Sequence, residues 1–213
     1  MLVFYRDRIS TSTVANESVS IDKSDVTGIV LCGGQGARLN GQDKPLLRLG
    51  NRQIIDYILD GLVEQVGRCV ISCSRNVALY EAKGHQVIVD SDVARGPLAG
   101  LCESFQFIET QWVLTVPGDS PFLASNLVSV LSTDAARQGV AVPDNGEHRQ
   151  NLCLLLDAAA RDDLCRFYNE GGKAVKYWLN HRQVKSTDMA DQASSFFNVN
   201  TPKELNLAHQ MLN

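Results

Sequence analysis

The chain has 213 residues and a formal net charge of −4, with 44% hydrophobic and 21% charged residues. That length supports one sizeable core, and the composition is ordinary for a globular domain. The acidic balance, with no basic stripe, argues against a nucleic-acid binder and makes any phosphate site local. No run approaches the roughly 18 apolar residues that a membrane span needs.

Residues 1–26 are polar after a short apolar start and lack the apolar stretch of a secretory signal. Glu17, Asp22 and Asp25 argue against a mitochondrial presequence. This segment is expected to be a flexible extension ahead of one domain spanning 27–213. The body opens with the apolar strand "VTGIVL", which runs into a loop with three glycines, Gly33, Gly34 and Gly36. A helical stripe follows over 54–66, then the strand "CVISCS", a short helix closed by Gly84, and the strand "QVIVD" ending in Asp90. "GPLAGLCESFQFI" places Pro97 just inside a helix start, after Gly96. "WVLTVPGD" is a strand ending in Asp119. A helix over "LASNLVSVLS" and a strand "GVAVP" come next. "LCLLLD" (152–157) is apolar on both faces, as a central strand is. Helices fit 158–169 and 172–181, then a short strand in "FFNVN" and a last helix from about Pro202. This alternation predicts a three-layer α/β/α sandwich around a mostly parallel, Rossmann-like sheet. Ligands of such sheets bind outside the carboxyl ends of the strands, where the glycine loop, Asp90, Asp119 and the "NVN" stretch would converge.

Six cysteines, at 32, 69, 73, 102, 153 and 165, include no CxxC pair. Cys69 and Cys73 would lie about 13 Å apart along a strand, too far for one metal. They read as small buried hydrophobes in a reducing, cytoplasmic setting. The four histidines are scattered, and none is assigned to a metal.

The glycine loop fails two familiar phosphate patterns. Gly36 and Gly41 have the first spacing of a Walker A loop, but Gln42 and Asp43 intervene before Lys44. From Gly34, a dinucleotide fingerprint meets Leu39 where its last glycine belongs. The chemistry is nevertheless that of an anion cradle. Glycines let backbone N–H groups approach phosphate oxygens, Arg38 offers a forked donor, and Lys44 offers a compact charge.

At "LCGGQGARLNGQDKPLL" the sequence resembles the nucleotidyltransferases that activate sugars and cofactors, and most of all the molybdenum cofactor guanylyltransferases, with their L-A-G-G-x-x-x-R-M-G-G-x-D-K loop. "VIVDS", "GPLAGL", "VPGDSPFL" and "FNVNTPKEL" match further stretches of that family in order, over about residues 27–210. The pattern is departed from at three places: Asn40 replaces a glycine, Gly118 a frequent cysteine, and Gln150-Asn151 a His-Pro pair on the pterin side.

The resemblance implies transfer of GMP from GTP to the phosphate of molybdenum-bound molybdopterin. Other cofactor-biosynthesis proteins or molybdoenzyme chaperones would be transient partners. Asp119 is the expected ligand of Mg²⁺, and Lys44 and Arg38 would offset the triphosphate charge. Leu31, Cys32, Gly33, Gly34, Gly36, Ser72, Asp90, Gly96 and Pro97 fall on the family's nucleotide-binding stretches, and Asn198 and Asn200 on its acceptor or metal side. Bland alternatives stand beside these roles. Asp90 could cap a turn, Asp119 the helix after it, and Asn200 the last helix. A cytidylyltransferase, a sugar- or alcohol-phosphate nucleotidyltransferase, or a non-catalytic GTP-binding adaptor would be the competing functions.

Overall fold

The computed structural model describes residues 19–33, 42–90 and 96–212. A 3₁₀ turn at Lys23–Asp25 leads into β1 (Val26–Leu31). After the glycine loop come a 3₁₀ turn at Lys44–Leu46 and a small hairpin of β2 (Arg48–Leu49) and β3 (Arg52–Gln53). Then follow α1 (Ile54–Val63), β4 (Arg68–Cys73), α2 (Val77–Glu81), β5 (Gln86–Val89), α3 (Pro97–Phe105) and β6 (Trp112–Pro117). The rest comprises α4 (Leu127–Gln138), β7 (Val140–Ala141), β8 (Pro143–Asp144), β9 (Leu154–Asp157), α5 (Ala158–Asn169), α6 (Val175–His181), β10 (Thr187–Asp188) and α7 (Pro202–Met211).

The main sheet has the order β5-β4-β1-β6-β9-β7. β1 pairs in parallel with β4 and β6, and β4 in parallel with β5. All six residues of β1 are buried, because both faces of this central strand are covered by helices. One face packs against α1 and α4, through Ile54, Ile58, Leu62, Leu127 and Leu131. The other packs against α3, α5 and α6, through Leu98, Leu101, Leu164, Trp178 and Leu179. The three-layer α/β/α arrangement expected from the alternation is therefore present.

Some elements differ from the sequence expectation. β9 is internal, as its double-sided apolar character predicts, but it runs antiparallel to β6 and β7. "FFNVN" forms no strand; residues 190–196 are a kinked 3₁₀ helix, and Val199 is strapped to the end of β6 by its N–H to the carbonyl of Asp119 at 2.8 Å. α1 ends at Val63 because the chain turns through Gln65–Gly67, where the Gly67 N–H bonds the carbonyl of Val26. α4 begins at Leu127, after turns over 118–126, and α6 at Val175, after the left-handed Gly171. Among the described residues no helix is long and apolar enough to cross a membrane, and the six cysteines are all free.

Asp163 ties α5 to α6. It accepts from the Trp178 indole N–H at 2.9 Å and from Arg182 at 2.8 Å. The Arg182 hydrogen bond, followed by that of Trp178, holds this carboxyl below the ordinary carboxylate range against partial burial. A depressed folded pKa gives stability that is present above the unfolded value and lost as pH falls through the folded one. Asp163→Ala leaves the nearly buried indole N–H without an acceptor, so it is expected to cost about 1–2 kcal/mol at pH 7. In thermal melts the gap to wild type should narrow as pH is taken below the carboxylate range.

Candidate nucleotide site

The chain leaves β1 for β4 and β5 on one side, then crosses back to β6 on the other. The loops after β1 and β6 therefore part company, and an open α/β sheet takes its ligands at such a reversal. Sheet pairing continues past the strand ends here. The Cys32 N–H bonds the Ser72 carbonyl at 2.7 Å, that of Asp90 the Cys73 carbonyl at 2.8 Å, and that of Gly118 the Leu31 carbonyl at 2.9 Å. These bonds set the expected residues on one edge in the spatial order Asp90, Ser72, Gly33, Asp119.

On the β5–β4–β1 side, Gly33, Ser72 and Asp90 converge. A Cβ placed on Gly33 would lie 3.8 Å from Asp90 Oδ2. Gly100, in the first turns of α3, lies closer still: a Cβ there would meet Ser72 Oγ at 2.9 Å and Asp90 Oδ2 at 3.0 Å. The expected Gly96-Pro97 start of α3 is present, with Gly96 at φ +74 and Pro97 as first helical residue.

At the reversal itself, the Lys44 ammonium donates to Asn200 Oδ1 at 2.5 Å and lies 3.4 Å from Asp119 Oδ2. Burial raises the Asp119 carboxyl above its usual range, and the nearby Lys44 charge opposes that shift. Lys44 is held in register by the residue before it. Asp43 accepts from Asn76 Nδ2 at 2.9 Å and faces Arg75, whose Nη2 donates to the Gln42 carbonyl. Asn200 is not the cap of α7; Thr201 is, accepting the Glu204 N–H, while Glu204 Oε2 takes the Asn200 N–H at 2.7 Å. Nor does Asp119 cap the next helix, since α4 starts at Leu127.

Beyond β6 a cleft of about 270 Å³ opens beside Asp119, lined also by Ser120, Gln150, Asn151, Asn198 and Asn200 over a floor that includes Leu123 and Phe196. Because β9 is antiparallel, the stretch preceding it lies at this edge, which brings Gln150 and Asn151 next to Asp119. Asn198 Oδ1 accepts from the Ser120 hydroxyl. Asn151 is held by Arg149 Nε at 2.9 Å.

Leu31 and Cys32 turn their side chains into the two cores, so only their backbones are available to a ligand at this edge. Gly34, Gly36 and Arg38 lie outside the described residues. Gly100 and Glu204 were not singled out by sequence, and Asp43 was matched to the Asp-Lys of the family loop without a role. Glu204 carries a signal that could have found it, the T-x-x-E capping box. Among the described residues no cluster of three or more His, Cys, Asp or Glu is arranged to hold a metal.

The Gly33–Ser72–Asp90 group and the cleft beside Asp119 thus lie side by side at the carboxyl edge of the sheet, with the Lys44–Asp119 pair between them. The chain belongs to the MobA-like NTP transferase family, whose domain pattern matches residues 28–185. It is similar to the molybdenum cofactor guanylyltransferase of Ralstonia nicotianae, with 38% identity over 87% of this chain and 96% of that protein. Its fold is similar to that of molybdopterin-guanine dinucleotide biosynthesis protein A from Archaeoglobus fulgidus, with TM-score 0.69, 20% identity, and coverage of 87% of this chain and 98% of that one. It is also similar to a Mycobacterium tuberculosis protein solved in complex with manganese, with TM-score 0.67, 15% identity, and coverage of 87% and 98%.

Gly100→Ala is expected to fold, because the methyl meets side-chain oxygens that can give way, but to push Asp90 and Ser72 off their positions. Nucleotide affinity, read by calorimetry, should fall roughly tenfold or more, the equivalent of about 1.4 kcal/mol. For Asp119 the sign runs the other way from Asp163. A folded pKa raised above the unfolded one means that the charged carboxylate costs stability at neutral pH, and that the cost fades as pH falls to the ordinary carboxylate range. Asp119→Asn should therefore melt above wild type at pH 7 without metal, with the advantage disappearing in acid.

Proposed function

We propose that the protein transfers GMP from GTP to the phosphate of molybdenum-bound molybdopterin, giving the guanine dinucleotide cofactor and pyrophosphate. The observation that carries this reading is the Lys44–Asp119–Asn200 contact between two binding regions, in a chain 38% identical to a guanylyltransferase. A phosphate oxygen of the acceptor forms the new bond to the α-phosphorus, and the bond to the β-phosphate oxygen breaks. That nucleophile is already ionised at neutral pH, so no general base is required. An anion attacking a polyanion needs alignment and charge neutralisation, which positioned cations supply.

In this reading Gly33, Ser72, Asp90 and Gly96-Pro97 hold the nucleoside side, with Gly100 leaving room for Ser72 and Asp90. The Asp90 carboxylate suits the N1–H and N2–H₂ donors of guanine. The glycine backbone from Leu31 to Gly36 cradles the phosphates, and Arg38 and Lys44 offset their charge. The cleft with Gln150, Asn151 and Asn198 takes the acceptor. Asp119 and the Asn200 carboxamide oxygen already share one cation, Lys44, and these hard oxygens suit a divalent ion. That ion would be Mg²⁺, bound to Asp119 together with the triphosphate; when bound it neutralises phosphate charge. The manganese complex of the Mycobacterium protein supports a divalent metal on this fold. The working unit begins earlier than the expected residue 27, since Val26 is the first residue of the buried β1 and Ile21 packs against the core. The free, mostly buried thiols suit the cytoplasm, where other cofactor-biosynthesis proteins or molybdoenzyme chaperones would meet it transiently.

GTP with Mg²⁺ is expected to raise the melting temperature clearly more than CTP does, and mixing enzyme, GTP, Mg²⁺ and molybdopterin should release pyrophosphate. Gly33→Ala should keep the fold, since its methyl has room beside Asp90, and should narrow the difference between the nucleotides by crowding the larger base. Equal shifts for the two nucleotides in the wild type would instead assign the chain to cytidylyl or less selective transfer. A GTP shift without any pyrophosphate would point to a binding adaptor.

A further inference from the structure

Lys44 faces two sets of groups that cannot both have it. In the free protein its ammonium is spent on Asn200 Oδ1, at 2.5 Å, and Asp119 Oδ2, at 3.4 Å, with both charged side chains about three-quarters buried. Lys44 follows the glycine loop directly, so it also stands where a triphosphate would run. We propose that Lys44 is the counter-ion of the Asp119–Asn200 oxygens before nucleotide arrives, that it excludes a divalent metal from them, and that the triphosphate admits the metal by drawing Lys44 away. Nucleotide then precedes the metal or enters with it. This rests on the nucleotidyltransferase reading of the site, but not on the identity of the base or of the acceptor.

The chemistry follows from what each group can offer. An ammonium has three donors and no acceptor, so a carboxamide bound to it at 2.5 Å must present oxygen, not nitrogen. Asn200 is thereby fixed with its oxygen toward Asp119. Its backbone is fixed independently, by the Asn200 N–H to Glu204 Oε2 at 2.7 Å and by the Glu204–Thr201 pairing at the start of α7. Removing Lys44 therefore leaves a carboxylate and a carboxamide oxygen in place beside each other. A divalent cation added while the ammonium is still there would meet a like charge within a few ångströms, in a half-buried setting where water screens poorly. A triphosphate carries several negative charges, against one on Asp119. The lysine stem is long enough to swing between the two without any backbone change. Other charges at this spot act in the same sense. Glu204 adds negative potential at Asp119, and Asp43, which precedes Lys44, is engaged by Asn76 and Arg75.

Two titrations on the full chain test this, neither of them an activity assay. Mn²⁺ binding to the nucleotide-free protein, followed by the loss of the free-ion EPR signal, should be weak in wild type and at least about tenfold tighter in Lys44→Gln. Lys44→Gln/Asp119→Asn should lose that gain. Calorimetry in EDTA, with GTP and CTP in parallel so that a wrong base masks nothing, should show metal-free nucleotide binding to wild type that weakens in Lys44→Gln. If Lys44→Gln does not give a cooperative melt, the wild-type arm still decides. Tight Mn²⁺ binding to the free wild type that Asp119→Asn abolishes would overturn the proposal. So would unchanged or weaker Mn²⁺ binding in a folded Lys44→Gln, or a wild type that takes up neither nucleotide until metal is added. A preference for CTP in the same experiments would overturn the guanylyl reading and leave this one standing.

Discussion

The reversal of strand order between β1 and β6 is the constraint on which the rest depends. Crossovers leaving in opposite directions open a gap at the end of the sheet that backbone alone does not fill. Side chains meet across it instead: Lys44 from the β1 side, Asp119 from β6, and Asn200 from the strap before α7. Burying Asp119 without a partner would be expensive, and its raised pKa records that cost even with Lys44 beside it. The backbone bond from Val199 to Asp119 keeps the strap and the strand end moving as one unit.

The inverted β9 adds the second half of the site. In a purely parallel sheet the segment before a strand lies at the edge opposite the ligands. Antiparallel pairing of β9 with β6 brings the segment before it, Arg149 to Cys153, round to the same edge as Asp119. It also sends Asp157 to the far edge, where it caps α5 through the Ala160 N–H. One strand reversal thus places a second set of polar side chains, Gln150 and Asn151, in the cleft beside Asp119, which stands just past the end of β6.

Much of this was legible in the sequence, for identifiable reasons. Strands ending in acids, a glycine loop followed by Lys44, and Pro97 opening a helix are local signals, and their elements form where local chemistry puts them. The direction of β9 was not legible, because a strand apolar on both faces has the same pattern whichever way it runs. "FFNVN" has the aromatic and β-branched content of a strand, but it lies at the end of β6, which β1 and β9 already pair on both sides, so tertiary context decided against it. Gly100 was invisible in the sequence, because what marks it is the space it leaves: a Cβ there would come within 2.9–3.0 Å of Ser72 Oγ and Asp90 Oδ2, which distant parts of the chain supply. Asn200 and Thr201 are both acceptable caps by composition. Only the fold shows that Thr201 takes the cap and releases Asn200 for Lys44.

The departures from the family pattern separate into two kinds once they are seen in space. Gly118 stands where the family often has cysteine, and a Cβ there would come within 2.9 Å of the Leu31 carbonyl and Pro45 and 3.1 Å of Cys32 Sγ. The space beneath the loop is already occupied, in part by the thiol of Cys32, at a position where the guanylyltransferase pattern has alanine. A side chain at 118 would need the Leu31 carbonyl, Pro45 and Cys32 to give way, and glycine fits the space that they leave. Gln150-Asn151 departs in another way. Both residues line the cleft, and Asn151 is braced from behind by Arg149, which also reaches Asn180 of α6 at 2.6 Å. A pair of carboxamides replaces an imidazole and a ring without an N–H, which changes the donors and acceptors that this cleft presents, in a segment that the reversed strand delivers to the same edge as Asp119. Asn40, the remaining departure, lies outside the described residues.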